Sequence, residues 1–250
     1  MAMKAMIFAA GLGTRLRPLT DSKPKALVEL CGVPMLERVI LKLKDAGIEE
    51  FIINVHHFAG QIKDFLESKR NFGVSIHISD ESDKLLDTGG GILKARKWLD
   101  GKEPFIVHNA DIYTDFDINE MVKEHDESEA DVTLLVSERE TSRYLIFNGC
   151  GRMTGWENVK TGEKRSPYGT LDESDCHPLA FGGIHIINPS IFPYLEEYSG
   201  NDDKFSITPF YTDYCARLSI QGFKPSNAYN WVDIGRIESL RMAENIVAGL

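Results

Sequence analysis

The sequence predicts an α/β protein with a mostly parallel sheet flanked by helices, and three observations carry the prediction. Short apolar runs alternate with segments of helical apolar spacing through the first half of the chain, the pattern of strands joined by crossover helices. With 250 residues and 42% hydrophobic composition, the chain can bury a sizeable core. A glycine-rich, basic loop directly follows the first strand-like run. Strand ends of that kind are where open α/β sheets bind ligands.

Each element follows from local pattern. KAMIFAA is the first strand; Leu36, Val39, Ile40 and Leu43 mark one helix face that ends near Gly47; and FIINV, residues 51–55, closes a βαβ unit. Ile62, Phe65 and Leu66 belong to the next helix and VSIHI to the next strand. Ile92, Leu93, Ala95, Trp98 and Leu99 then fall on one further helix, preceded by the glycines of DTGGGI, and PFIVHNAD is a buried strand running into a loop. A helix is expected from about Ile118, with Asp115 and Asp117 capping it or facing solvent. From about Ser137 to Phe181 the alternation loosens into short apolar pieces such as YLIFN among glycines and charges, which reads as antiparallel strands elaborating one end of the sheet. FGGIHII resumes the strand pattern, Pro189 opens a short helix, Pro209 interrupts a helical segment, and NWVDIG precedes a final helix through Glu238 and Ala243.

Composition excludes several classes of function. The net charge of -10 disfavours a nucleic-acid partner, because binding a phosphate backbone needs a positive surface. No apolar run approaches the roughly 20 residues of a membrane helix, and no basic segment followed by an apolar one opens the chain; the expectation is a cytoplasmic protein without a membrane partner. Cys31, Cys150, Cys176 and Cys215 are scattered without a C-x-x-C pair, so they read as reduced thiols rather than zinc ligands. His56 and His57 are vicinal on a strand end, point to opposite faces and do not chelate one ion. Oligomeric state is not readable from this pattern.

Against that acidic background, FAAGLGTRLRPLTDSKPKALVEL (Phe8 to Leu30) concentrates Arg15, Arg17, Lys23 and Lys25 in one loop, which suits a small, highly charged anion. A dinucleotide fingerprint would need glycine where Leu16 stands, and the Walker A pattern is absent. A plain strand-to-helix turn with solvated basic residues is the bland alternative. The remaining reading is a triphosphate cradle of backbone amides, with Arg15 and Lys25 as fixed counter-charges.

AAGLGTRLRPLTDSKPKALVEL resembles the signature loop of the sugar-1-phosphate nucleotidyltransferase family. DTGGGI, HNADIYTDFD, AFGGIHIINP and NWVDIG follow in that family's order over essentially the whole chain. Among its branches the sequence is most similar to the N-acetylmuramate-1-phosphate uridylyltransferases, chiefly through the triple glycine and DIYTDFD. The resemblance implies a Rossmann-like sheet of the nucleotide-diphospho-sugar transferase type, with residues 1–250 as one domain, about 137–181 as a small antiparallel sugar-binding elaboration and 236–250 as a C-terminal helix. It implies transfer of a nucleotidyl group from a nucleoside triphosphate to a sugar 1-phosphate, with release of pyrophosphate and Mg2+ as cofactor. Residue by residue, it places the turn Gly11, Leu12, Gly13 and Thr14 on the nucleotide phosphates, Arg15 on the triphosphate and Lys25 between the two phosphate groups. Ala9 and Gly11 lie against base and ribose, Glu81 and Gly89 line the base pocket, and Asp111 and Asp233 hold magnesium. Asn109 and Glu157 bond the sugar hydroxyls, while Gly182 and Gly183 clear space for the sugar.

The chemistry suits those residue types. Two anions must meet, so positioning and charge neutralisation dominate; the attacking phosphate oxygen is already anionic at neutral pH and needs no general base. Magnesium takes one or two carboxylates plus phosphate and water oxygens, which matches two strand-end aspartates. The sequence departs from the family pattern twice. PKAL replaces the commoner PKPL and also occurs in phosphocholine cytidylyltransferases; and Asn158 stands where a sugar-phosphate lysine is expected, with Lys160, Lys164 or Arg165 as possible substitutes. The alternatives therefore left open are a mannose, heptose or glucose 1-phosphate enzyme, a phosphocholine enzyme with an aromatic cage drawn from Tyr144, Phe147, Trp156, Tyr168 and Phe181, and a noncatalytic sensor on the same fold.

Overall fold

The structure is a computed structural model that describes residues 3–169, 171 and 173–249. Met1, Ala2, Thr170, Asp172 and Leu250, all within the expected domain of 1–250, lie outside the described residues. The chain opens with β1 (Lys4–Phe8), passes through the basic loop into the hairpin β2 (Glu29–Leu30) and β3 (Val33–Pro34), and enters α1 (Met35–Asp45). β4 (Glu50–Val55), α2 (Ala59–Ser68), β5 (Ser75–Asp80), α3 (Asp87–Lys94), α4 (Arg96–Leu99) and β6 (Phe105–Asn109) complete the alternating half. After β7 (Ile112–Thr114) and α5 (Ile118–Ser128) come β8 (Val132–Ser137), β9 (Arg143–Phe147), β10 (Met153–Asn158), β11 (Glu163–Arg165) and the long β12 (His177–Ile187). The chain ends through α6 (Phe192–Ser199), α7 (Ile207–Tyr214), β13 (Ile220–Phe223), β14 (Trp231–Asp233) and α8 (Ile237–Ala248).

β5, β4, β1 and β6 form a parallel sheet, as the alternating pattern requires. β12 joins β6 antiparallel and serves two sheets. Its residues Ile184 to Ile187 pair with β6, while His177 to Leu179 pair with β9, which carries β10 and β11 outward. β8 runs antiparallel to β12 and holds β13 parallel on its other side.

Strand alternation divides the core between the two faces. Ala5, Ile7, Phe51, Ile53 and Ile106 pack under α1, α2 and α5 through Leu36, Ile40, Ile62 and Met121. Met6, Ile52, Phe105 and Val107 pack under α3, α4, α6 and α7 through Ile92, Leu99, Phe192 and Phe210. A third cluster joins Leu16 of the basic loop to Val232, Ile234, Leu240 and Ala243, so the C-terminal helix anchors the loop near the N-terminus.

The sequence reading needs correction at three places. The triple glycine is not a loop ahead of a helix but lies inside α3, and the single helix expected over 92–99 is divided at Ala95 into α3 and α4. Pro209 does not interrupt α7. It occupies the first turn, where its missing N–H has no helical partner to lose. β8, β13 and the pairing of β7 with β14 went unread, because strands of three to six residues leave little periodicity to detect.

Candidate active site

The site is assembled where β1 and β6 end. Beyond β1 the chain turns through Gly13, whose φ of +65° favours glycine; a Cβ there would stand 2.8 Å from Thr20 Cγ2. Thr20 fastens the turn by donating its hydroxyl to the Gly13 carbonyl at 2.8 Å. Leu16 is fully buried in the third cluster, which fixes its neighbour Arg15. Arg17 is diverted to a solvent-exposed pair with Asp21 at 3.4 Å, and Lys23 to Glu29 at 3.5 Å. Of the four basic residues in the loop, Arg15 and Lys25 therefore remain for the site.

Lys25 forms an ion pair with Asp111 just past β6, and both side chains are largely buried. The Asp111 carbonyl accepts the Ile234 N–H at 2.8 Å, and β7 pairs with β14 so that Ile112 faces Asp233. That short ribbon sets two aspartates far apart in sequence beside one another. Burial, and then the neighbouring Asp111 carboxylate, raise the Asp233 carboxyl above the ordinary carboxylate range, while Lys25, Arg15 and Arg139 pull it back. Asp233 Oδ1 is buried with no hydrogen-bond partner among the described residues. A Cβ on Gly235 would lie 2.8 Å from both Arg15 Nη2 and Asp233 Oδ1, so glycine at 235 permits that close approach.

Beside this cluster opens a cleft of about 370 Å³, lined among others by Ala9, Gly11, Lys25, Glu81, Asn109 and Asp111. Its back wall is a polar relay in which Glu81, expected from the sequence, is joined by Asn54, which the sequence reading did not name. Asn54 Nδ2 donates to Glu81 Oε1 at 2.8 Å, Asn54 Oδ1 accepts the Ala9 N–H at 2.8 Å, and Glu81 Oε2 accepts the Leu86 N–H at 3.0 Å. The signal for Asn54 was legible in FIINV as one amide inside an apolar strand. Lys204 also lines the cleft, and nothing local in NDDKF pointed to it. His56 donates to the Glu81 carbonyl at 2.6 Å and so helps to seat that residue.

The glycines of α3 act through packing. Cβ atoms at Gly89 and Gly90 would fall 2.3 Å from the Phe205 ring and 2.0 Å from the Asp203 carbonyl oxygen. Both glycine N–H groups donate to the Phe205 carbonyl, at 2.9 and 3.2 Å. The first turn of α3 thus holds the 203–205 strap, and with it Lys204, against the cleft; Thr88 lines the wall and Gly89 packs behind it. Gly90→Ala is expected to cost roughly 3 kcal/mol through backbone overpacking. It should also weaken ligand binding in the cleft as the strap shifts; a thermal melt and a ligand titration read the two effects.

The expected sugar residues divide. Gly183, at φ +73°, sits in a bulge of β12 where a Cβ would be 2.7 Å from Asn109 Nδ2, so this glycine makes room for Asn109 rather than opening free space. The Gly182 position is closed by Leu135, whose Cδ2 would lie 2.8 Å from a Cβ placed there. Glu157 on β10 is not brought to the cleft: its carboxylate lies 3.8 Å from Lys164 Nζ, on the sheet face opposite Trp156. Asn158 accepts the Lys160 N–H at 3.1 Å and opens the turn to β11, a short-range role lysine cannot fill. Leu12, 46% exposed, and Thr14 belong to the loop outside the cleft wall. Asp117 caps α5 by accepting the Asn119 N–H at 2.9 Å, and Asp115 binds the Asn230 backbone N–H at 2.7 Å.

Residues 4–248 match the nucleotidyl transferase family model, and the chain belongs to that family. It is 31% identical over 246 residues to an N-acetylmuramate alpha-1-phosphate uridylyltransferase of Caulobacter vibrioides, covering 96% of this chain and 95% of the relative. A Neisseria meningitidis protein of the same name is 30% identical over 249 residues, covering 97% of each chain. The chain is therefore an enzyme of the sugar-1-phosphate nucleotidyltransferases. The fold is also that of a putative glucose-1-phosphate thymidylyltransferase from Bacillus anthracis, with a TM-score of 0.82 at 22% identity over 100% of this chain and 96% of that one. Among the described residues no helix is long and apolar enough to cross a membrane.

Proposed function

We propose that this enzyme transfers a uridylyl group from UTP to N-acetylmuramate 1-phosphate with magnesium, releasing pyrophosphate. The observation that carries the reading is the convergence of Arg15, Lys25, Asp111 and Asp233 at the strand ends beside the 370 Å³ cleft, a cationic pair and an acidic pair around one point. The near-full-length similarity to two proteins named as N-acetylmuramate alpha-1-phosphate uridylyltransferases supports the choice of substrates. Residues 137–181 are the acceptor-binding elaboration in this reading.

Asp111 and Asp233 fit magnesium by the chemistry of the donor set: two hard carboxylates, one with a buried oxygen that has no partner among the described residues. When bound, the ion would neutralise phosphate charge and hold the phosphates in line. The protein's own residues do the rest. Ala9, Gly11 and the Asn54–Glu81 relay seat the nucleoside, Arg15 holds the triphosphate, and Lys25 exchanges Asp111 for the substrate phosphates. An anionic oxygen of the sugar phosphate then bonds to the α-phosphorus, and the bond from that phosphorus to the bridging oxygen breaks. The electron pair departs with pyrophosphate, whose charge the cations stabilise.

A phosphocholine acceptor suits the structure less well. Of the candidate aromatic residues, Phe147 is buried in the core, the Tyr168 hydroxyl donates to the Cys215 carbonyl at 3.1 Å, and Trp156 and Phe181 share a cavity with three arginines, whose charge repels a quaternary ammonium.

Pyrophosphate release with magnesium, measured for UTP, CTP, GTP, ATP and dTTP against N-acetylmuramate, glucose and mannose 1-phosphates and phosphocholine, tests the reading. UTP with N-acetylmuramate 1-phosphate is expected to stand clear. A better rate with any other pair would replace the assigned substrates.

A further inference from the structure

A second cavity, of about 550 Å³, lies between the β9–β11 sheet and α7, and Asp87 lines both this cavity and the nucleotide cleft. Its walls carry Arg139, Arg143 and Arg165, with Asp87 as the only acidic lining residue among the described residues. In a chain of net charge -10 such a cationic hollow demands an explanation.

The sheet register creates it. Arg143 faces Asn158 across β9 and β10, Leu145 faces Trp156, and Trp156 faces Arg165 on β11, so these side chains share one face. Arg165 lies 5.7 Å from the Trp156 ring centre and bonds Glu163 on the same short strand at 2.6 and 2.8 Å, an exposed pair that it would exchange for a ligand carboxylate at the cavity wall. Arg143 is exposed and makes no ion pair among the described residues. Arg139 is held more firmly. It lies 4.1 Å over the Trp231 ring and donates Nη2 to the Phe181 carbonyl at 2.8 Å, while its Nε is buried without a partner among the described residues.

The three arginines are not equivalent with respect to the reaction. Arg139 feels the charge of Asp233 and so belongs to the end of the cavity nearest the reacting phosphates. Arg143 and Arg165 line the second cavity and not the nucleotide cleft. An acceptor whose 1-phosphate reaches the α-phosphorus beside Lys25 and Asp111 would project its sugar past Asp87 toward them. Planar guanidinium groups match a carboxylate in a two-point hydrogen-bonded geometry.

We propose that Arg143 and Arg165 bind a carboxylate carried by the sugar of the acceptor, and that they make the enzyme select an acidic sugar 1-phosphate over its neutral counterpart. This inference rests on the function proposed above and adds the residues that decide the acceptor.

The test compares kcat/KM with magnesium and UTP for three acceptors: N-acetylmuramate 1-phosphate, N-acetylglucosamine 1-phosphate, which lacks the lactyl carboxylate, and glucose 1,6-bisphosphate, which carries a second phosphate instead. The wild-type enzyme is expected to prefer the carboxylate-bearing acceptor. Arg143→Gln and Arg165→Gln should each reduce the ratio of the first two kcat/KM values by about tenfold or more, through KM, as expected for loss of a hydrogen bond to a charged group. Arg143→Lys should restore part of it. Both side chains are exposed, and unchanged melting curves would establish that the variants fold. Equal losses with both acceptors would assign the arginines to the 1-phosphate and overturn the proposal, as would a preference for the bisphosphate. Pyrophosphate release with neutral sugar phosphates alone would overturn the carboxylate reading while leaving nucleotidyl transfer intact. Absence of release with every acceptor would overturn the underlying function as well.

Discussion

Asp111→Ala should lower kcat for pyrophosphate release by about a thousandfold, the upper range for losing one preorganised electrostatic group at a reacting centre. Two consequences add in the same direction. One of two carboxylates available to magnesium disappears, and Lys25, only 14% exposed, loses the partner that positions it. Asp233→Asn should be similarly inactive but should behave differently in a thermal melt. Because its surroundings raise the Asp233 carboxyl above its ordinary range, the ionised group is unfavourable in the metal-free fold. Removing that charge should stabilise the metal-free protein by on the order of 1 kcal/mol, or about 2–4 °C. Melting both variants with and without magnesium, beside a pyrophosphate assay, separates the two roles. A wild-type rate in Asp111→Ala would remove this residue from the reaction.

Acidification from pH 7 to pH 5 should destabilise the protein by on the order of 3 kcal/mol before most carboxylates titrate. The main cause is a pair of buried histidines on opposite faces of the sheet, with His125, also lowered by burial, adding in the same direction. Burial lowers His108 from 6.5 to about 4, against the pull of its hydrogen bond to the Asn109 carbonyl. Burial, with His108 as a lesser contribution, lowers His185 from 6.5 to about 3; its Nδ1 lies 2.6 Å from the Tyr211 hydroxyl. Below pH 6.5 the unfolded chain protonates both rings while the folded chain does not, so the unfolded state binds more protons and stability falls with pH. The loss proceeds until the folded pKa values, about 4 and about 3, are passed. The slope is about 1.4 kcal/mol per pH unit for each histidine. Urea unfolding at pH 7 and pH 5 measures the effect. His185→Gln, which keeps a polar partner for Tyr211, should remove a substantial share of the pH dependence; an unchanged drop would place the titration elsewhere.

Much of the fold was legible because helix and strand periods report burial directly. Met6 and Ile52 belong to one side of the sheet and Ile7 and Ile53 to the other, as an alternating buried strand requires. Gly89 and Gly90 show where such reading fails. Sequence presents three consecutive glycines as a loop, whereas the structure places them in a helix whose missing side chains admit the 203–205 strap. A contact between residues more than a hundred positions apart leaves no local period. Lys204 escaped for the same reason, while Asn54 betrayed itself as a lone amide in an apolar strand.

Local sequence dictates the alternating strands and helices, the basic loop after β1 and the aspartates at strand ends. These depend on short-range geometry: side-chain period, turn-forming glycines and the chemistry of residues close in the chain. Which charges meet is settled by folding in three dimensions. Arg17 and Lys23 are satisfied by surface partners while Lys25 reaches Asp111; pairing of β7 with β14 brings Asp233 beside Asp111; and the β9–β11 register gathers Arg143 and Arg165 around Trp156. Those outcomes arise from packing between distant segments, where Coulomb energy depends on separation in space and not on separation along the chain.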